Sequence, residues 1–146
     1  MAKKIKKVFI EGAISPDKIA KSIAHHQVKR DIGAHSIFLG QVRADEIEGK
    51  IVRAIEYSAY DEMAEVQFHE IRERTFDKYN LTCMHIYHSK GVVNAGEICL
   101  FVFTSSVHRK EAVDACRYVV EEIKAKVPIF GKELFEDDSF VWKTNK

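Results

Sequence analysis

Residues 97–105, EICLFVFTS, form a near-continuous apolar run, and no other stretch limits the folds open to this chain so strongly. Such a run reads as a strand in the middle of a sheet. It leads into residues 105–132, SSVHRKEAVDACRYVVEEIKAKVPIFGK. There Val113, Cys116, Val120, Ile123 and Val127 recur at steps of three and four, which predicts an apolar stripe along one face of a helix. Ser105 or Ser106 supplies a cap for its start and Pro128 stops it. Arg109 falls on the line of Val113, one turn earlier, and is expected to point from the first turn toward the buried side. A cation there stands at the end of the helix dipole that favours anions. Lys124 falls at the edge of the stripe, about 70° from its centre at ~3.6 residues per turn. Two readings stay open: an anion bound nearby relieves both oddities, or Arg109 curls back to solvent and Lys124 snorkels.

The other segments fit around this strand and helix. Residues 8–14 read as a strand, and Ser15-Pro16-Asp17 then starts a helix with a cap, a proline at the first position and an early acid. Ile19, Ala20, Ile23, Ala24 and Gln27 continue that helix to about residue 30, and Gly33 breaks it. Residues 35–42, HSIFLGQV, are a strand ending at Arg43, and the polar segment 44–50 is a loop. Residues 51–60 alternate as a strand with Ile51, Arg53, Ile55 and Tyr57 on one side. Residues 61–79 are a long helix whose apolar set is Met63, Val66, Ile71 and Phe76. Residues 81–88 are a strand, 90–96 a glycine-punctuated connection, and 133–135 with 140–143 a closing hairpin around 136–139. Hairpins are expected between 35–42 and 51–60 and between 81–88 and 97–105. The pattern predicts an α+β fold, helices on a largely antiparallel sheet, with residues 1–146 forming one domain.

Charge narrows the choice of partners. Lysine plus arginine number 23 against 22 acids, so no global field draws the chain to nucleic acid or to a membrane, and any anion site must be local. Cys83, Cys99 and Cys116 are odd in number, lack CxxC spacing and lie in apolar runs, as expected of reduced, buried thiols in a cytoplasmic protein. The N-terminal MAKKIKKVFIEGAI has too short and too interrupted an apolar run for a signal peptide or a span. The seven histidines include no HExxH, and His85 and His88 face opposite sides of a strand, so no metal site and no cofactor is expected. Glycine fingerprints for nucleotides and serine-nucleophile elbows are likewise missing. What remains is a basic set: Arg43 after a strand, His108 and Arg109 at a helix start, Lys124 near its end, with Lys126 and Lys132 beyond. His108 and Arg109 could bind phosphate together with free backbone N–H groups. Lys124, set against Val120, Ile123 and Val127, could have a lowered pKa and act as acid, base or nucleophile.

FLGQVR (residues 38–43), TSSVHRKEA (104–112), KAKVPIFGKE (124–133) and the ending Phe140-Val141-Trp142-Lys143 together resemble the large, catalytic subunit family of molybdopterin synthase. The similarity runs in order from about residue 36 to 143. It implies an α/β-hammerhead fold and sulfur transfer that converts cyclic pyranopterin monophosphate into the dithiolene molybdopterin. It also implies a partner, a small ubiquitin-like sulfur carrier whose Gly-Gly C-terminus bears the thiocarboxylate, and a homodimer of large subunits within a heterotetramer. The family's pocket residues carry over to Arg43, His108, Arg109 and Lys124 as substrate-binding groups, with Lys124 and Lys132 as the catalytic lysines. At one place the chain departs: where the family often has its second lysine, after the aromatic residue, Gly131 stands, and lysine follows one step later as Lys132. A non-catalytic ferredoxin-like module that oligomerises and senses an anionic metabolite is the alternative from another functional class.

Overall fold

The computed structural model describes residues 7–143. The ends of the expected 1–146 domain, including the first six residues of the basic N-terminal stretch, lie outside the described residues. At the centre is β6 (Ile98–Ser106), whose residues from Cys99 to Ser106 are all buried. It is flanked by β2 (Ala34–Gln41) and by the first half of β5 (Cys83–Asn94), both antiparallel to it. The continuous apolar run follows from cover on both faces. Phe101 and Phe103 pack with Ile14, Ile19 and Ile23 around α1 (Pro16–His26). Leu100 and Val102 pack with Phe68 and Ile71 of α2 (Asp61–Lys78) and Cys116, Val119 and Ile123 of α3 (Arg109–Lys126). Fully burying a phenylalanine in this way contributes about 1.5–3 kcal/mol.

The remaining strands extend the sheet past β5. β4 (Lys50–Ala59) pairs with residues 91–94 of β5, β7 (Ile129–Phe135) pairs with β4, and β8 (Phe140–Trp142) pairs with β7. The strand order is therefore β2-β6-β5-β4-β7-β8, with β1 (Phe9–Glu11) parallel to β5 and the short β3 (Glu46–Ile47) on β4. This is an α+β fold: three helices on an open, largely antiparallel sheet of eight strands, with a C-terminal hairpin, among the described residues.

Several expectations change. The segment 35–42 does not form a hairpin with 51–60; β2 pairs only with β6, on the far side of β5 from β4. The connection expected at 90–96 continues β5 through residue 94, and the glycine at its centre serves the bend between the two pairings. Gly91 has φ +79°, a conformation that asks for glycine, while a Cβ there would meet only the movable end of the exposed Glu11 side chain. The loop expected at 44–50 contains β3. The first helix ends at His26 rather than near residue 30.

The helix faces shift too. On α3 the buried positions are Ala112, Ala115, Cys116, Val119 and Ile123, whereas Val113 is 55% exposed. Alanines let α3 approach the sheet closely, and large residues alone gave a stripe rotated toward solvent. On α2, Ala64, Phe68, Ile71 and Thr75 are buried while Met63 and Val66 are exposed. Neither Ser105 nor Ser106 caps α3: both end β6, and His108 is the N-cap residue without a side-chain cap bond. The three cysteines are buried and free. Among the described residues no helix is long and apolar enough to cross a membrane.

Candidate functional site

The last turn of α3 overhangs the seam where β5 and β6 give way to β4 and β7. Two adjoining recesses open there and share Tyr57, Lys124 and Lys143. One adds His88 and Gly131, and the other adds Arg43, Cys99 and Glu133. Lys124 reaches this place because Ile123 is anchored in the core, which turns the next residue outward over the sheet. By area Lys124 is exposed, yet protein surrounds it on several sides; the loss of nearby water lowers its ammonium below the ordinary 10.5. The Lys143 ammonium lowers it further, against an opposing pull from the Cys99 thiol.

Beneath Lys124 lie buried polar groups. His88 is 4% exposed, and burial pushes its pKa down to about 4, with the Lys124 charge acting the same way against a hydrogen bond to Ser89. Its Nδ1 donates to the Ser89 carbonyl at 2.8 Å, which leaves Nε2 as the acceptor of a neutral ring. The Tyr57 ring meets His88 edge-on at 5.2 Å. Burial, then Cys99 and Glu133, raise the Tyr57 phenol above its ordinary value, so it stays a neutral donor. Cys99 approaches the Gly40 carbonyl at 3.5 Å, at the irregularity that ends β2. Arg43 follows that irregularity, its side chain 75% exposed and 3.2 Å from Asp45. The arrangement sets the cations Arg43, Lys124 and Lys143 around an uncharged tyrosine and histidine, with the carboxylates of Asp45 and Glu133 also in the lining.

Of the residues expected from sequence, Arg43 and Lys124 come together here. His108 and Arg109 do not: they stand exposed at the opposite end of α3, where Ser106 Oγ donates to the His108 carbonyl. Arg109 follows Val113 to the solvent side, which corrects the inward orientation expected for it. Lys132 is absent from both recesses. The pairing of β7 with β4 runs unbroken through Gly131, so alternation turns Lys132 to the other face. There its ammonium lies 4.4 Å from the Phe140 ring centre, 5.3 Å from that of Trp142 and 3.8 Å from Glu56. Lys143, His88, Tyr57, Cys99 and Glu133 were not expected at the site. Their signal lies in strand pairing, which brings together residues far apart in sequence.

Residues 10–126 match the family described as MoaE protein. The chain is 41% identical over 130 residues to a molybdopterin synthase catalytic subunit of Oryza sativa subsp. indica, covering 88% of this chain and 65% of that protein. It is 37% identical over 138 residues to a protein of the same name from Bos taurus, covering 94% of this chain and 70% of that one. The crystal structure of molybdopterin synthase from Staphylococcus aureus superposes with a TM-score of 0.80 at 29% identity, covering 94% of this chain and 96% of that one.

Proposed function

The chain belongs to the MoaE protein family, and from that premise we propose that it is the catalytic subunit of a molybdopterin synthase. In this reading it transfers sulfur from the thiocarboxylated Gly-Gly C-terminus of a small ubiquitin-like subunit to cyclic pyranopterin monophosphate. Two copies of the chain pair in the cytoplasm, each taking a small subunit. The observation that carries the reading is Lys124, an ammonium with lowered pKa in a recess that also has Arg43 on its rim. Both substrates are anions, and cationic side chains receive them without a metal. Arg43 and Lys124 hold the phosphate or thiocarboxylate. The sulfur bonds to a pterin carbon and displaces an oxygen there, while water takes its place on the acyl carbon and releases the small subunit as its carboxylate. The Lys124 ammonium stands ready to give a proton to the departing pterin oxygen, and its charge steadies the negative charge that develops. The floor of Tyr57 and His88 stays uncharged, so it offers hydrogen bonds without competing for the anion.

The test is incubation of the protein with thiocarboxylated small subunit and cyclic pterin, followed by assay for dithiolene product. Lys124→Ala should lower turnover by about a hundredfold or more, the usual scale of a lost acid-base group. It should leave the thermal transition close to the parent's, since the side chain lies outside the packed core. Near-normal turnover by a folded Lys124→Ala protein would take the catalytic role from this residue.

A further inference from the structure

Lys143 lies beyond the segments that supply the other cations, yet the C-terminal hairpin carries it into both recesses beside Lys124. In β7 and β8, Lys132 pairs with Trp142 and Glu133 with Val141, so the next rung places Lys143 across from Gly131. The Lys143 backbone N–H donates to the Gly131 carbonyl at 2.8 Å, which holds that rung. Residues opposite each other on antiparallel strands share a face. Lys143 therefore projects on the face of Gly131, while Lys132 and Trp142 take the other. A Cβ built on Gly131 would lie 3.6 Å from the Lys143 Cβ and 3.1 Å from Ile55 Cγ2. Glycine at 131 leaves this side of the recess clear for the lysine across the ladder.

We infer that Lys143 is a second substrate-binding cation of this site, reaching across Gly131 to hold the same anionic group as Lys124. The inference rests on the synthase reading for the identity of the anion, a phosphate or a thiocarboxylate, but its geometry does not. Lys143 also acts on its neighbour. Its charge opposes protonation of Lys124 and so shifts the pH at which Lys124 exchanges its proton downward. Position 131 and position 143 thus offer alternative origins for a cation at one place, and this chain uses the second.

The experiment compares the parent with Lys143→Met and Lys143→Arg. One measurement is the KM for cyclic pterin in the synthase assay. The other follows the Lys124 ammonium through a pH titration by NMR of labelled lysine side chains, with no substrate present. Lys143→Met should raise KM about tenfold or more, the cost of one charge-assisted hydrogen bond. It should also move the Lys124 midpoint to higher pH, while Lys143→Arg keeps both parental values. A parental KM or a parental Lys124 midpoint in a folded Lys143→Met protein overturns the inference. If the parent forms no dithiolene product, the synthase reading fails alone, and the titration then decides the Lys143–Lys124 pairing by itself.

Discussion

His88 shows how much of this site depends on single side chains in unusual surroundings. Its ring is buried among Phe9, Tyr57 and the stem of the site, with the Lys124 ammonium nearby. The folded-state pKa of about 4 lies below the ordinary 6.5, so in the unfolded chain the ring takes up a proton first as pH falls. Stability from this group is complete above pH 6.5 and declines as pH drops toward 4. The total is on the order of 3 kcal/mol. Chemical denaturation at a series of pH values should show that slope, and His88→Gln should flatten it. An equal slope in the variant would move the acid sensitivity elsewhere; His35, also lowered by burial, would then be the next residue to test. At this scale the sequence was readable where one residue broke a local pattern, as Lys124 did at the edge of an apolar stripe. It was not readable for His88, whose burial comes from β1 and β4, both distant in the chain.

Whole elements were legible through periodicity, and their faces through packing partners that periodicity does not reveal. All three helices and the central strand stand within a few residues of their expected ranges. The buried faces of α2 and α3 were misplaced because Ala64, Ala112, Ala115 and Thr75 mark them as much as the large residues do. Small side chains carry little signal in a sequence, yet close approach of helix and sheet selects them. The C-terminal hairpin makes the same point through register. A loop over 136–139 would set Lys143 against Lys132, but the loop closes between Phe135 and Ser139, with Asp138 at φ 68°. That one-residue difference decides whether Lys143 enters the recess. Lys132, held by Glu56 and the Phe140 and Trp142 rings, then serves the hairpin. Lys132→Ala should destabilise the fold by roughly 0.5–1.5 kcal/mol, the range of a surface cation–π contact with a weak ion pair. Turnover should stay close to the parent's. Loss of turnover beyond what the fraction unfolded explains would return Lys132 to the chemistry.

The molecule as a whole sets a problem that one chain does not solve. Strand order was the least legible feature, since β2 crosses over to β6 and no local pattern distinguishes that from a hairpin with β4. The helix joining the two halves of the basic set was legible, and it separates them. Arg109 and Lys124 stand at opposite ends of α3, fifteen residues apart along an unbroken helix, or about 22 Å at ~1.5 Å per residue. One small anion cannot touch both within a single chain. If His108 and Arg109 serve the same substrate as Lys124, they come from a second copy, and a two-fold axis gives two equivalent composite sites. Mixing Arg109→Ala with Lys124→Ala under conditions of subunit exchange tests this. In a mixed dimer one site then carries both defects and the other carries none. Random exchange of equal amounts puts half the chains' sites in mixed dimers, so about a quarter of all sites should be intact and that share of parental turnover should return. With sites confined to one chain, every site keeps a defect and the mixture does no better than its components. Absence of recovery from two inactive variants, after exchange has been demonstrated by mass, would reject the shared pocket.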